Sequence, residues 1–211
     1  MAPGQPSTLY VTQDGGQVFK STDSGDTWAP TASQPESNSF TYALAVDDAG
    51  RVFVGTLRDG LWRSTDGGDS WQRVLTEQSV IFHVLAVPGA IYASAGDANL
   101  YRSTDGGDTW QRLTNFSSVD SDGVGEQGYA IAVDPHNPDH IFFSRRDTWH
   151  PADAGSGIVE STDGGATWKP LNPGLGQLSV NALTVGPDGS LLAGTGCAGI
   201  WYLPAGAATS R

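Results

Sequence analysis

Four nearly identical octapeptides recur along this chain of 211 residues. They read STDSGDTW, STDGGDSW, STDGGDTW and STDGGATW, and they begin at Ser21, Ser64, Ser103 and Ser161, at intervals of 43, 39 and 58 residues. A motif repeated at such a period indicates one supersecondary unit copied several times, and a unit of about 40 residues holds the four short strands of one propeller blade. The repeat therefore predicts an all-β protein built from blades.

The segments between the motifs support this architecture. In residues 40–75 the run FTYALAV, the strings RVFVGT and LWRST, and the stretch WQRVL alternate apolar with polar or small residues, and Gly/Asp turns separate them. Such alternation is typical of half-buried strands. Applied along the chain, the pattern predicts eighteen strands in about five blades. The first and last blades have three strands, and a single propeller spans residues 7–204 between tails at 1–6 and 205–211.

Composition narrows the classes of partner. The chain has 23 acidic and 11 basic residues, a net charge of −12, and no long apolar run. A chain without a basic patch is a poor nucleic-acid or anionic-membrane binder, so both partners are excluded at this stage. The single cysteine, Cys197, rules out an internal disulfide. These features predict a cytoplasmic protein, or a secreted one if a signal peptide has been removed, with no cofactor and no metal.

The residue types of the motif favour a structural role. Asp66 can accept backbone N–H bonds in a tight hairpin, and Ser64 can add a second local hydrogen bond. Gly68 can take a positive φ, and the ring of Trp71 can fold over the turn. The equivalent residues are Asp23, Asp105 and Asp163, with Trp28, Trp110 and Trp168. Four equivalent active sites in one small chain would be unusual, so we interpret the motif as a fold marker.

The pattern S-x-D-x-G-x-x-W resembles the Asp-box, or BNR, repeat of β-propellers. That repeat occurs in sialidases, sortilin-type receptors, xyloglucanases and the photosystem II stability/assembly factor family, and the strings AVDPHNPDHIFFS and STDGGATWKPL are similar to the last two groups. The resemblance implies that the boxes lie between the third and fourth strands of each blade, on the face opposite the usual active site. Functional residues are then expected on the other face.

The interval between the third and fourth boxes departs most from the repeat. It is the longest, and its excess falls in residues 115–128 and 144–157, which we expect to be loops of the functional face. Trp149 has no place in the repeat, and an aromatic ring beside arginines suits sugar stacking or a protein contact, although it could equally keep its own loop ordered. The predicted ligand-binding residues are Trp149, Arg145, Arg146, Tyr42, Tyr129 and Arg58.

Aligned inner strands place Tyr42, His83, Tyr129 and Asn181 at one equivalent position near the mouth of the central channel. These residues either line a ligand site or only solvate the rim. Three residues are candidates for an acid or base: His83, Glu126 and His150. The acidic stretch with Asp120 and Asp122 is a solvated loop in preference to a calcium site, because it lacks the rest of the calcium-loop frame.

Two classes of function stay open. The first is a non-catalytic binding or assembly scaffold for a protein, a small molecule or a carbohydrate. The second is an enzyme with one asymmetric pocket, either glycoside hydrolase-like or transforming a small molecule through His83 or Glu126. A sialidase is disfavoured because no Arg-Ile-Pro signature is present, and unequal rim residues argue against a lectin with one site per blade. The open ends of the repeat predict a closed monomer or a ring-closing dimer.

Overall fold

A computed structural model describes residues 4, 7–13, 15–36, 39–76, 80–114, 126–147, 157–172, 174–175, 179–196 and 198–206. All of its regular elements are strands, and they form five antiparallel sheets of three, four, four, four and three strands. The eighteen strands and the two three-stranded sheets agree with the sequence prediction. The fold is a five-bladed β-propeller with short first and last blades.

Each sheet is a meander whose strands pair in chain order. The first sheet holds β1 (Leu9–Thr12), β2 (Val18–Ser21) and β3 (Ala29–Pro30). The second holds β4 (Thr41–Val46), β5 (Val52–Thr56), β6 (Leu61–Ser64) and β7 (Gln72–Leu75), and the third holds β8 (Ile81–Val87), β9 (Ala90–Ala95), β10 (Leu100–Ser103) and β11 (Gln111–Arg112). The fourth holds β12 (Glu126–Asp134), β13 (Asn137–Asp147), β14 (Gly157–Ser161) and β15 (Lys169–Pro170), and the last holds β16 (Val180–Val185), β17 (Leu191–Thr195) and β18 (Ile200–Leu203).

Contacts divide the chain into two compact units. The first comprises Met1–Ala95 and Tyr101–Gln111, and the second comprises Gly96–Leu100 and Arg112–Arg211. The first unit has one core around Phe53, Leu61 and Ile81, and a smaller cluster of valines against Trp71. The second unit packs Phe142, Ile158 and Leu191 with their neighbours. In the second and third sheets the second strand of the blade is the most buried, as expected for a strand covered on both faces.

The long third interval is organised differently from the prediction. Residues 115–128 and 144–157 were both expected to be loops, yet β12 begins at Glu126 and β13 continues to Asp147. The extra backbone pairs in register, with Glu126 opposite Asp147 and Gly128 opposite Arg145. Glu126, Arg145 and Arg146 therefore lie on a prolonged hairpin, where ladder hydrogen bonds hold their backbone, and the loop prediction was wrong for them.

No helix in the described part of the chain is long and apolar enough to cross a membrane.

Candidate functional site

The four boxes share one hydrogen-bond pattern, which the second box shows fully. The Asp66 Oδ1 atom accepts the N–H groups of Asp69 and Ser70 at 3.0 and 2.9 Å, and the Ser70 hydroxyl donates to Oδ2 at 2.5 Å. The Ser64 hydroxyl donates to Oδ1 at 2.8 Å and accepts the N–H of Gly68 at 2.8 Å. Gly68 has a φ of 101°, a region that L side chains rarely adopt. The predicted Asx-type turn is confirmed.

These bonds lower the pKa of every box aspartate. Donation from the hydroxyl and the N–H of Thr27 lowers the pKa of Asp23 from 3.8 to about 2, and the same groups of Thr167 lower that of Asp163 to about 2. The pKa values of Asp66 and Asp105 fall for the same reason. A carboxylate that is held ionised by local donors is a poor general acid, and each box carboxylate accepts bonds from its own turn.

Two of the four box tryptophans connect their turns to neighbouring segments. Trp71 Nε1 donates to the Ser33 carbonyl at 3.1 Å, and Trp168 Nε1 lies 3.2 Å from the Leu113 carbonyl, so each ring joins its box to the segment that follows the preceding sheet. The Nε1 atoms of Trp28 and Trp110 instead donate within their own boxes, to the Gly25 and Gly107 carbonyls, and the Trp28 side chain is 42% exposed. The predicted burial of a large ring therefore does not hold for the first box.

In four of the five sheets, the second to the last, the opposite end carries a bulge at the start of the inner strand. Strand pairing passes from Thr41↔Thr56 to Ala43↔Gly55, which leaves Tyr42 outside the register. The same skip occurs between Ile81 and His83, between Gly128 and Ile131, and between Val180 and Ala182. A bulge at a strand end re-aims its side chain, and such bulges are frequent beside functional sites.

The bulges correct the alignment made from sequence. The residue that shares the place of Tyr42 and Asn181 in the third sheet is Phe82, and His83 lies one position later, where the second and last sheets have alanines. The predicted equivalence of Tyr42, Tyr129 and Asn181 agrees with the register, whereas that of His83 was wrong by one residue. The sequence alignment matched the ends of the two apolar runs, Val46 and Val87, but β8 continues one residue further past its bulge than β4 does, which explains the slip.

In the first unit this end presents an aromatic cluster, which we define as Phe40, Tyr42 and Phe82. Phe40 and Tyr42 are 52% and 51% exposed, and the rings of Tyr42 and Phe82 lie 5.6 Å apart between centroids. The Leu57 N–H donates to the Phe40 carbonyl at 2.9 Å, so the β5–β6 turn with the exposed Arg58 adjoins the cluster. Burial lowers the pKa of the neighbouring His83 from its ordinary value of 6.5, so its imidazole is neutral near pH 7 and can accept a proton.

In the second unit the same strand ends place three predicted residues on neighbouring strands. Tyr129 and Arg145 are half-buried and Asn181 is exposed. The Ser144 hydroxyl accepts the N–H of Ala130 at 2.8 Å and donates to the Val180 carbonyl at 3.1 Å, which ties the β12 bulge to β16. Burial lowers the pKa of the Arg145 guanidinium from 12.5. This bonded arrangement holds the strand ends that carry Tyr129 and Asn181.

Several predicted residues lie outside the described part of the chain. They are Trp149, His150, Asp120, Asp122 and Cys197. For Glu126 and Arg146 the structure gives the backbone alone. Their roles remain predictions.

Sequence reasoning missed a cluster at the box end of the fourth sheet. His140 Nε2 lies 3.3 Å from Glu160 Oε2, and its Nδ1 lies 3.7 Å from Asp134 Oδ2. Glu160 occupies the position before the box serine where the first three boxes are preceded by lysine or arginine, and that reversal of charge was a visible signal. Among the described residues no group of three or more His, Cys, Asp or Glu side chains is placed to hold a metal ion.

A family model described as sortilin, neurotensin receptor 3, of the Sortilin-Vps10 group, matches residues 59–187, more than half of the chain. The chain belongs to the sortilin/Vps10 family. This membership agrees with the Asp-box resemblance, and its match covers three of the four boxes. Family and fold leave scaffold and hydrolase equally open, because one fold hosts many unrelated sites.

Two curated relatives of this sortilin/Vps10 family member match most of the chain. The dispase autolysis-inducing protein of Streptomyces mobaraensis is 33% identical over 166 residues, which cover 79% of this chain and 40% of that protein. A xyloglucanase of Acetivibrio thermocellus is 28% identical over 207 residues, which cover 79% of this chain and 24% of the enzyme. The chain thus spans less than half the length of either relative.

Solved structures show the same fold. The GH74 xyloglucanase of Xanthomonas campestris superposes with a TM-score of 0.75 at 22% identity, over 95% of this family member and 35% of the enzyme chain. YCF48 bound to D1 peptide superposes with a TM-score of 0.63 at 15% identity, over 96% of this chain and 65% of that one. At these identities the likeness is one of fold.

Proposed function

We propose that this protein is a non-catalytic propeller that binds a protein segment or a carbohydrate at the sheet ends opposite the boxes. The observation that carries the proposal is the aromatic cluster of Phe40, Tyr42 and Phe82, whose first two members are half-exposed. Exposed aromatic rings that lie together can stack on sugars and anchor peptides.

The relatives support both ligand classes. One structural neighbour is described as bound to a peptide, and two others are xyloglucanases. The box end offers less to such a ligand, because its carboxylates are satisfied by their own turns. Trp149, Arg146 and the other candidates of the long interval stay predicted ligand-binding residues.

The test compares three variants: Tyr42→Ala, Phe82→Ala and Trp149→Ala. Glycan and peptide arrays identify a ligand for the wild-type protein, and calorimetry then measures each variant. We expect each substitution at the cluster to weaken binding by about 1–3 kcal/mol, the usual range for a contacting aromatic ring. Tyr202→Ala is the matched control, because Tyr202 is 54% exposed but lies on β18. Equal losses in the control would contradict the proposed site.

The second candidate is an enzyme with His83 as its base. The specific observation is the neutral, half-buried imidazole next to Phe82 in the cluster. Screening glycosides and small esters with wild type and His83→Gln separates the two functions. Turnover by the wild-type protein that disappears in His83→Gln would replace the scaffold proposal, whereas binding without turnover in both proteins would retain it.

A further inference from the structure

The first unit has a cavity of about 70 Å³ at the box end, between the β4–β5 and β8–β9 hairpins. Its lining includes Asp47, Arg51, Gly89, Thr104 and Gly106. This position is at the opposite end of the sheets from the aromatic cluster. A ligand bound there is therefore independent of the function proposed above.

The cavity arises because the turns of these two hairpins differ in length. Five residues separate the paired Val46 and Val52 at the β4–β5 turn, but only Pro88 and Gly89 separate the paired Val87 and Ala90 at the β8–β9 turn. In the first and fourth boxes a neighbouring carbonyl covers the fourth box residue: Ser24 N–H donates to Ser7 O at 2.9 Å, and Gly164 N–H donates to Asp139 O at 3.0 Å. Gly106 is the corresponding residue of the third box, and there the short turn leaves a cavity beside it.

The guanidinium of Arg51 lies directly against Gly106. A Cβ atom added to Gly106 would meet Nη1, Cζ and Nη2 of Arg51, so a side chain at this position would displace the guanidinium. The Arg51 Nε donates to Asp47 Oδ2 at 2.6 Å. Within the described residues the two terminal amino groups of Arg51 have no hydrogen-bond partner, so this edge of the guanidinium can bind a ligand.

Asp47 holds the Arg51 guanidinium in place, and both of its carboxylate oxygens accept hydrogen bonds in doing so. Its Oδ1 accepts the N–H groups of Ala49 and Arg51 at 3.0 and 2.9 Å, while Oδ2 takes the Nε bond. The pair is close to neutral in charge, and the groups of Arg51 that it leaves without a partner are donors. The exposed Thr104 hydroxyl, which lines the same space, can donate to a ligand as well.

We propose that this cavity binds a single carboxylate group through the terminal amino groups of Arg51 and the hydroxyl of Thr104. A planar guanidinium edge matches a carboxylate in two parallel hydrogen bonds. The volume is several times the roughly 10–15 Å³ that a cavity needs to hold one water, which leaves room for one small planar head group. A dianion such as phosphate is disfavoured by the adjacent Asp47 and by the net charge of −12.

The first experiment titrates ¹⁵N-labelled protein with sodium acetate at constant ionic strength. We expect saturable, millimolar-range shifts at the Gly89, Thr104 and Gly106 amides and at Arg51 Nε. Sodium chloride over the same range is the ionic control. Glucuronate and a short peptide with a free C-terminal carboxylate then distinguish a sugar acid from a protein terminus as the source. Shifts that do not saturate, or that chloride or phosphate reproduces, would overturn the proposal.

Two variants test the residues. Arg51→Gln is expected to weaken acetate about tenfold or more, the size associated with losing a hydrogen bond to a charged group. Thr104→Val keeps the side-chain shape, leaves the Asp47–Arg51 pair intact and is expected to weaken acetate about threefold to tenfold. Arg112→Gln, at an exposed arginine on β11, is the matched control and keeps wild-type affinity. Unchanged acetate affinity in Thr104→Val and Arg51→Gln together would exclude the site.

Discussion

At the scale of single residues, the box aspartates accept hydrogen bonds whose contribution to stability depends on the carboxylate being ionised. Each carboxylate receives a hydroxyl and backbone N–H groups from its own turn, and these donors lower its pKa. The boxes are exposed, so each makes a modest contribution that water screens. The four boxes are separate turns, so their contributions to stability add.

This arrangement predicts acid sensitivity. A carboxylate with a depressed folded-state pKa stabilises the fold above its unfolded pKa, and this stabilisation is lost as the pH falls through the folded pKa. For Asp23 and Asp163 the window runs from about pH 4 down to about pH 2. We expect the melting temperature of wild type to fall across this window. Asp66→Asn should start lower at pH 7 and show a smaller fall, and an identical slope in both proteins would contradict the assignment.

His83 predicts a second pH dependence, with the same sign and a different window. Burial lowers its folded-state pKa below 6.5, so the unfolded chain takes up the proton first and the fold loses stability as the pH drops below about 6.5. Urea denaturation at several pH values should show this loss in wild type and not in His83→Gln. His136→Gln, which removes an imidazole that is 68% exposed, serves as the control and should behave like wild type.

At the scale of strands and hairpins, neighbouring sheets approach each other closely at defined positions. Gly55 on β5 lies so close to β8 that an added Cβ would be 2.7 Å from Ile81 Cγ2 and 3.0 Å from the Ile81 carbonyl oxygen. Its counterpart on β17 is Gly194, where an added Cβ would be 3.5 Å from Ala182, an ordinary contact. The same repeat position therefore tolerates different side chains in different blades.

These two glycines give a matched pair of variants. Gly55→Ala should destabilise the protein by roughly 1–3 kcal/mol, because the methyl group overpacks a contact that includes backbone. Gly194→Ala should change stability little. Chemical denaturation of both variants measures the difference, and equal effects at the two sites would show that the close approach of β5 to Ile81 carries no cost.

The strands and turns also show which parts of the fold could be predicted from the sequence. Box turns, strand number and strand order were predictable because Asp, Gly and Trp recur at fixed offsets and each turn is stabilised by its own residues. The Phe82 bulge and the long β12–β13 hairpin could not be predicted, because both depend on which residues pair across the strands. The alternation of apolar residues does not fix that pairing to the exact residue. The Arg51 cavity was equally hidden, because it arises from contact between two hairpins distant in sequence.

At the scale of the whole molecule, the outer edge of the last sheet has no paired strand in the part of the chain that the structure describes. In the three four-stranded sheets the third strand is covered by a fourth, whereas β18 has no such partner among the described residues. Its side chains Ile200 and Tyr202 are 77% and 54% exposed, and residues 198–206 include no charge. An apolar edge without charged residues favours pairing with another strand.

We therefore expect weak self-association that depends on salt. The net charge of −12 opposes contact between copies, and added salt screens this repulsion, so the weight-average mass in sedimentation should rise with ionic strength. Ile200→Lys should abolish the rise by placing a charge on the edge. Thr184→Lys, which adds the same charge at an exposed position on β16, should retain it. A mass that stays constant for wild type at all salt concentrations would contradict this expectation.

The bulge that opens each inner strand has a consequence for engineering. Because Tyr42 and Asn181 stand outside the pairing register, their sheets already accommodate an additional residue at that end, while the box turn at the other end closes the sheet through its own hydrogen bonds. Short segments grafted at these bulges should leave the turns untouched. The chain thus offers a repeated set of insertion points, at which recognition can be redesigned one blade at a time.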